Sequence, residues 1–183
     1  MCRRLLRWAG WLLAALSAGL VVGGLAFDLM VVRPAVDRIE NRLQTAAPGE
    51  RQPSAAVMDM LHRAYGVRIN DLVARDAVSS GQIESMGTLS RLSMELGIAL
   101  LLPVHLSRTD IAAAYLTGAY MGPDARGFAA ASRLYLGIEL DRVDLAQAAK
   151  LVAMAHAPDI YRQSPERLER KAAQLLSRPS HPG

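Results

Sequence analysis

Glu95 and Arg91 stand four residues apart in RLSMELGIALLLPVHL, residues 91–106, and Glu95 is the only acid between Glu84 and Asp110. On a helix, positions i and i+4 share a face, so the pair can present a carboxylate and a guanidinium to one cleft. The same spacing also serves a structural ion pair, because a lone charge in so apolar a helix is rarely left unpaired. Other patterns that carry chemistry are missing from the sequence. It has no GxGxxG, no phosphate-binding loop and no metal-ligand spacing, and the histidines at 62, 105, 156 and 181 are scattered. Cys2 is the single cysteine, which excludes an intramolecular disulfide and a thiolate metal cluster. His62 and His105 read as surface or packing residues, and the eight methionines as core fillers.

The elements that must hold the pair are helical. Hydrophobic residues make up 51% of the chain but aromatics only 5%, so Ala and Leu dominate and packed helices are favoured over sheets. Residues 91–106 are predicted to form a buried central helix. SRTD, residues 107–110, is a capping box in which Ser107 caps the start and Asp110 answers from the third helical position; DLAQ, 144–147, repeats the device. Ser164, Pro165 and Glu166 open a last helix in the favoured order of cap, proline and acid. Upstream, DMLHRAYGVRINDLVARDAV, 59–78, reads as two short amphipathic helices broken near Gly66, and SSGQIESMG, 79–87, as a loop. These signals imply an all-α domain.

Residues 8–27, WAGWLLAALSAGLVVGGLAF, hold no charge and span about 30 Å as a helix, one bilayer crossing. Arg3, Arg4 and Arg7 precede the run. Removing them and Asp28 from the chain's 21 basic and 17 acidic residues leaves 18 against 16, interspersed, with no basic stripe for nucleic acid. The positive-inside rule then places the N-terminus in the cytoplasm and the domain outside, which in a bacterial cell means the periplasmic face of the inner membrane. A cleaved signal peptide is the alternative, but the run exceeds the usual h-region and no small-x-small site closes it, so an uncleaved signal-anchor is expected. The organisation read from the sequence is a basic cytoplasmic N-terminus at 1–7, a transmembrane anchor at 8–32, a Pro-rich linker at 33–56 with a short helical continuation through VDRIENRL, a helical domain at 57–177 and a disordered tail at 178–183.

Laid out in order, residues 90–176 resemble the C-terminal half of the family 51 glycosyltransferases, the peptidoglycan transglycosylases. SRLSMELGIALL is similar to the family's third motif and the helix after it; SRTDI and YLT, at 115–117, follow without a gap. Tyr120, Gly122, Gly127, the alanines 129–131 and Tyr135-Leu136-Gly137 stand where the family has its aromatic, its two glycines, its alanine run and its tyrosine-phenylalanine-glycine. LAQAAKLVAMAHAPDIY and SPERLERK are similar to its last two helices. The resemblance implies a lysozyme-like helical domain. In it Tyr115, Gly122, Gly127, Tyr135 and Gly137 form a scaffold turn and helix start beneath the glycan cleft, where glycine suits positive φ or close packing.

The implied reaction joins lipid-linked disaccharides. A glutamate of the family's first motif acts as general base; a second glutamate and basic residues, often with a divalent metal such as Mg, assist departure of the pyrophosphate lipid. Glu95 falls on the second glutamate, Arg91 on the arginine before it, and Ser90 beside them as a further substrate-binding position. Leu92 replaces the family's lysine, and Thr117 its asparagine. The first motif, glutamate-aspartate-x-x-phenylalanine-x-x-histidine, is absent, and MGTLS at 86–90 is at best a remnant of the second. The N-terminal lobe that supplies the base therefore reads as deleted or rewritten. Two readings follow: a membrane-anchored transglycosylase-like protein of weak or no activity that meets the lipid-linked precursor, or a non-catalytic scaffold that binds a cell-wall synthesis enzyme or envelope complex.

Overall fold

A helix satisfies every backbone polar group internally, so an apolar run can stay helical without burying a face. In the computed structural model, whose described residues are 2–80 and 87–179, helix α1 (Cys2–Phe27) passes through a π-helical segment (Asp28–Val32) directly into α2 (Arg33–Gln44). Ala15–Gln44 is long and apolar enough to cross a membrane by length and composition. The expected linker at 33–56 is thus largely ordered. Pro34 lies inside this continuous helix just after the π-helical segment, where its missing N–H removes one bond of the backbone ladder. Ala35, Val36 and Ile39 recur at helical spacing and are buried. A short helix α3 (Pro48–Arg51) and then α4 (Ala55–Ala64) follow, the latter capped by the Ser54 hydroxyl. A 3₁₀ turn at Gly66–Arg68 leads into α5 (Ile69–Ser79).

The remaining helices are α6 (Thr88–His105), α7 (Arg108–Gly118), α8 (Phe128–Leu136), α9 (Leu145–His156), α10 (Pro158–Gln163) and α11 (Pro165–Leu176), with a 3₁₀ turn at Leu140–Arg142. Among the described residues the only β pairing is an isolated bridge between Tyr120 and Arg126. Both capping boxes form: Asp110 N–H donates to Ser107 Oγ at 3.1 Å, and Gln147 N–H to Asp144 Oδ1 at 2.8 Å. Ser164 differs from expectation. Its backbone precedes α11, but its hydroxyl makes no cap bond.

Two hydrophobic cores share α7. One joins α2, α5, α6 and α7 through Val32, Ile39, Val73, Ile98, Leu102 and Ile111. The other joins α4, α7, α8, α9 and α11 through Met60, Leu116, Phe128, Leu151 and Leu175. The sequence placed the buried central helix at 91–106, and this is corrected. The central helix is α7, whose Ile111, Ala112, Ala113, Ala114, Leu116 and Gly118 are all buried. Small alanines let neighbours approach from both sides, whereas α6 buries only Ile98, Ala99 and Leu102, half-buries Leu101 and leaves Leu89, Leu92, Leu96 and Leu100 exposed. Of the loop predicted at 79–87, residues 81–86 lie outside the described residues. Arg178, assigned to a disordered tail, is packed: Arg63 Nη1 donates to its carbonyl at 2.9 Å.

Candidate functional site

The N-terminal half of α6 carries Arg91 and Glu95 on its flank toward α5, whereas Ser90 falls about 100° around the helix from Arg91. Arg91 Nε donates to Glu95 Oε1 at 2.9 Å, and Arg75 Nε, one helix away on α5, lies 3.8 Å from Glu95 Oε2. Both carboxylate oxygens therefore face a guanidinium. The Glu95 side chain is only 14% exposed, while both arginines remain mostly in solvent. Ser90 is exposed, and its carbonyl accepts from the Ser93 hydroxyl at 3.1 Å.

A second carboxylate stands one residue beyond Arg75. Asp76 Oδ2 accepts from Arg42 Nη1 of α2 at 2.5 Å, and Oδ1 lies 3.7 Å from Arg126 Nη2. Gly118 roofs this pair: a Cβ there would lie 2.9 Å from Arg42 Nη1 and 3.0 Å from Asp76 Oδ2. Leu72, Arg75, Asp76, Tyr115, Tyr120 and Arg126 line a cleft of about 450 Å³ between α5 and α7. The sequence reading identified Glu95, Arg91 and Tyr115 but missed Arg75, Asp76, Arg42 and Arg126. Those four belong to segments where no motif marks a charge as paired.

The glycine-rich stretch is a scaffold whose parts explain one another. Gly127 N–H donates to Ala119 O at 2.9 Å and Met121 N–H to Ala125 O at 3.1 Å, closing the loop between α7 and α8. Gly122, Gly127 and Gly137 all have positive φ. Gly127, at φ 82 and ψ 157, is the N-cap of α8 and offers no side-chain cap. Glu50 of α3 supplies one instead: its Oε1 accepts from Ala129 N–H at 2.9 Å. An added Cβ on Gly127 would lie 2.5 Å from that oxygen, so glycine makes room for the distant cap as well as for the backbone. Burial raises the Glu50 pKa, and the amide bonds from Ala129 and its own α3 turn oppose the rise. Tyr135 Oη donates to Met121 O at 2.9 Å above Gly122, and Gly137 ends α8 in the left-handed conformation.

Tyr115, given by the resemblance a scaffold role, borders the cleft between α5 and α7 with its hydroxyl already engaged. Its hydroxyl donates to Tyr65 Oη at 2.7 Å, and Tyr65 Oη lies 2.9 Å from His156 Nδ1. Burial pushes the Tyr65 phenol up to about 12 and Tyr115 up as well, and burial followed by the charge of Lys171 holds His156 below its usual value. Both phenols stay protonated near neutrality, and the hydrogen-bonded chain joins α4, α7 and α9. His105, read as a packing residue, lies 2.6 Å from Asp28 Oδ1 and ties α6 to the π-helical segment.

The described residues do not fit the divalent metal that the resemblance implies. Among the described residues no group of three or more His, Cys, Asp or Glu side chains converges, and Glu95 and Asp76 each face two arginines.

The all-helical domain thus carries an arginine-paired glutamate on a long helix, followed by a glycine-built turn, and comparison with known proteins supplies the class. The family model for the transglycosylase domain matches residues 69–179, and the chain belongs to that family. The match begins at α5, upstream of the resemblance seen from residue 90. The chain is 36% identical over 74 residues to penicillin-binding protein 2a of Streptococcus pneumoniae, which covers 40% of this chain and 10% of that protein. It is 30% identical over 93 residues to a candidate transglycosylase of Cupriavidus necator, covering 50% of this chain and 40% of that protein. The chain therefore spans well under half the length of these relatives.

Proposed function

We propose that this protein is a peptidoglycan glycosyltransferase-like protein of the bacterial cell envelope, held by α1 in the cytoplasmic membrane with its domain outside. In this reading it binds the lipid-linked disaccharide precursor and has little or no polymerising activity. The observation that carries the reading is the closed state of both carboxylates. A general base must reach the proton it abstracts, and loss of a positioned base costs about 10²–10⁴-fold in rate. Glu95, on the second-glutamate position, lies between Arg91 and Arg75, and Asp76 between Arg42 and Arg126, so neither stands as an unpaired carboxylate in place of the missing first-motif base. The exposed guanidinium edges of Arg75 and Arg91 remain available to a phosphate oxygen. The scaffold reading draws on the same closed carboxylates but needs no precursor at all.

Titration of the full chain in detergent with a fluorescent lipid-linked disaccharide separates the two. Arg91→Ala and Arg75→Ala are each expected to weaken binding about tenfold, the effect of one charge-assisted contact. Glu95→Gln frees both arginines and is expected to hold or tighten binding. Absence of any binding by the wild-type chain would leave the scaffold reading.

A further inference from the structure

Among the described residues the exposed face of α6 has no counterpart elsewhere in the domain. Leu89, Leu92, Leu96, Leu100 and Val104 are between 61% and 83% exposed and fall on one arc of about 120° at 3.6 residues per turn. The other large exposed apolar residues of the domain, Val67, Tyr120, Leu134 and Ile160, lie on separate elements. Scattered single hydrophobes are ordinary on a protein surface, but a contiguous stripe marks an interaction site.

The position of α6 decides what covers the stripe. Gly97 packs on the Phe27 ring, where a Cβ would meet ring carbons at 2.5 Å, and His105 bonds to Asp28. Two consecutive residues at the end of the apolar run thus meet α6 at positions eight apart, about 12 Å along the helix. Helix α6 therefore lies across the end of α1 and not alongside it. If α1 crosses a bilayer, α6 lies near the plane of its surface, at the level where the apolar run ends. The leucine arc borders the anchor contact on one side and the Arg91–Glu95–Arg75 group on the other. Leu25, Leu29 and Met30 of the anchor are exposed at the same level.

We infer that α6 is an interfacial membrane helix: its leucine arc seats in the acyl–headgroup boundary of the bilayer, and the arginines at its edge reach lipid phosphates. A helix with an apolar stripe on one face and cations on its flank binds this way, and long arginine stems keep their charge at headgroup level. The stripe leaves the site at the height where a lipid-linked phosphate would lie. The inference rests on the anchor reading of α1.

The test places single cysteines in the full chain carrying Cys2→Ser, with a bimane label in liposomes of phosphatidylglycerol and phosphatidylethanolamine. Leu96→Cys and Leu100→Cys report α6, Leu20→Cys reports the anchor, and Ile160→Cys reports a surface on α10. The ratio of quenching by a lipid-borne nitroxide to quenching by aqueous iodide is expected to be about threefold or more higher at 96 and 100 than at 160, as for an interfacial helix. A high ratio at 20 with 96 and 100 equal to 160 overturns the inference and leaves the anchor standing. Protection of 96 and 100 from both quenchers overturns it too, because a second copy or another protein then covers the stripe. A low ratio at 20 removes the anchor reading and the inference together.

Discussion

At the scale of single residues, the most informative pair is one that lies 77 positions apart, Glu50 and Gly127. A carboxylate that is 5% exposed stands in for the cap that Gly127 cannot supply. Glu50→Ala leaves the Ala129 N–H buried and unpaired, and thermal unfolding should show a loss of about 1–3 kcal/mol. Gly127→Ala forces a conformation close to glycine-only and crowds the same oxygen, with an expected cost of about 1–3 kcal/mol. Burial raises the Glu50 pKa in the fold, so its contribution is fullest below pH 4.5 and declines as pH rises through the folded value. The stability of the wild-type chain relative to Glu50→Gln should therefore fall as pH rises above 4.5; a flat difference would contradict the assignment. Neither residue was legible as a pair. Gly127 stood out by its spacing, but Glu50 lay in a stretch rich in proline and polar residues, and nothing local announces a cap delivered from so far along the chain.

At the scale of elements, hydropathy misjudged which helix is central. The run at 91–106 is the more apolar, yet α7 with its IAAAY core lies between both clusters. Close packing from two sides demands small residues, and alanine carries little hydropathic signal. Ala113→Leu, at a site 1% exposed, should overpack α7 and cost about 1–3 kcal/mol. Leu100→Ser, on the exposed arc of α6, should change stability in detergent by less than about 0.5 kcal/mol. Thermal unfolding of both variants decides the matter, and the reverse order would restore α6 as the central helix. The caps of α7 and α9 were fully readable because a capping box is local, with donor and acceptor three residues apart. The continuation of the anchor into α2 was only half readable, since its prolines and charges resemble a linker until Val36 and Ile39 find α5.

At the scale of the whole molecule, the sequence carries family membership through the order of its weak pieces, and the fold carries it through the shared α7. The two cores meet on that helix, so the chain should unfold as one unit. What one sequence does not display is the partner of each charge. Glu95 was identified by position, but its second cation comes from α5, twenty residues upstream, and only packing of α5 on α6 brings Arg75 to it. That clamp is the reason the protein is read as a binder of precursor and not as a polymerase. The most direct measurement is product analysis after incubation of the full chain, in liposomes, with fluorescent lipid-linked disaccharide. Bound precursor and no glycan polymer are expected, with no polymer from Glu95→Gln either. Polymer from the wild-type chain that disappears in Glu95→Gln would contradict it, because Glu95 would then leave its arginines and take part in the chemistry.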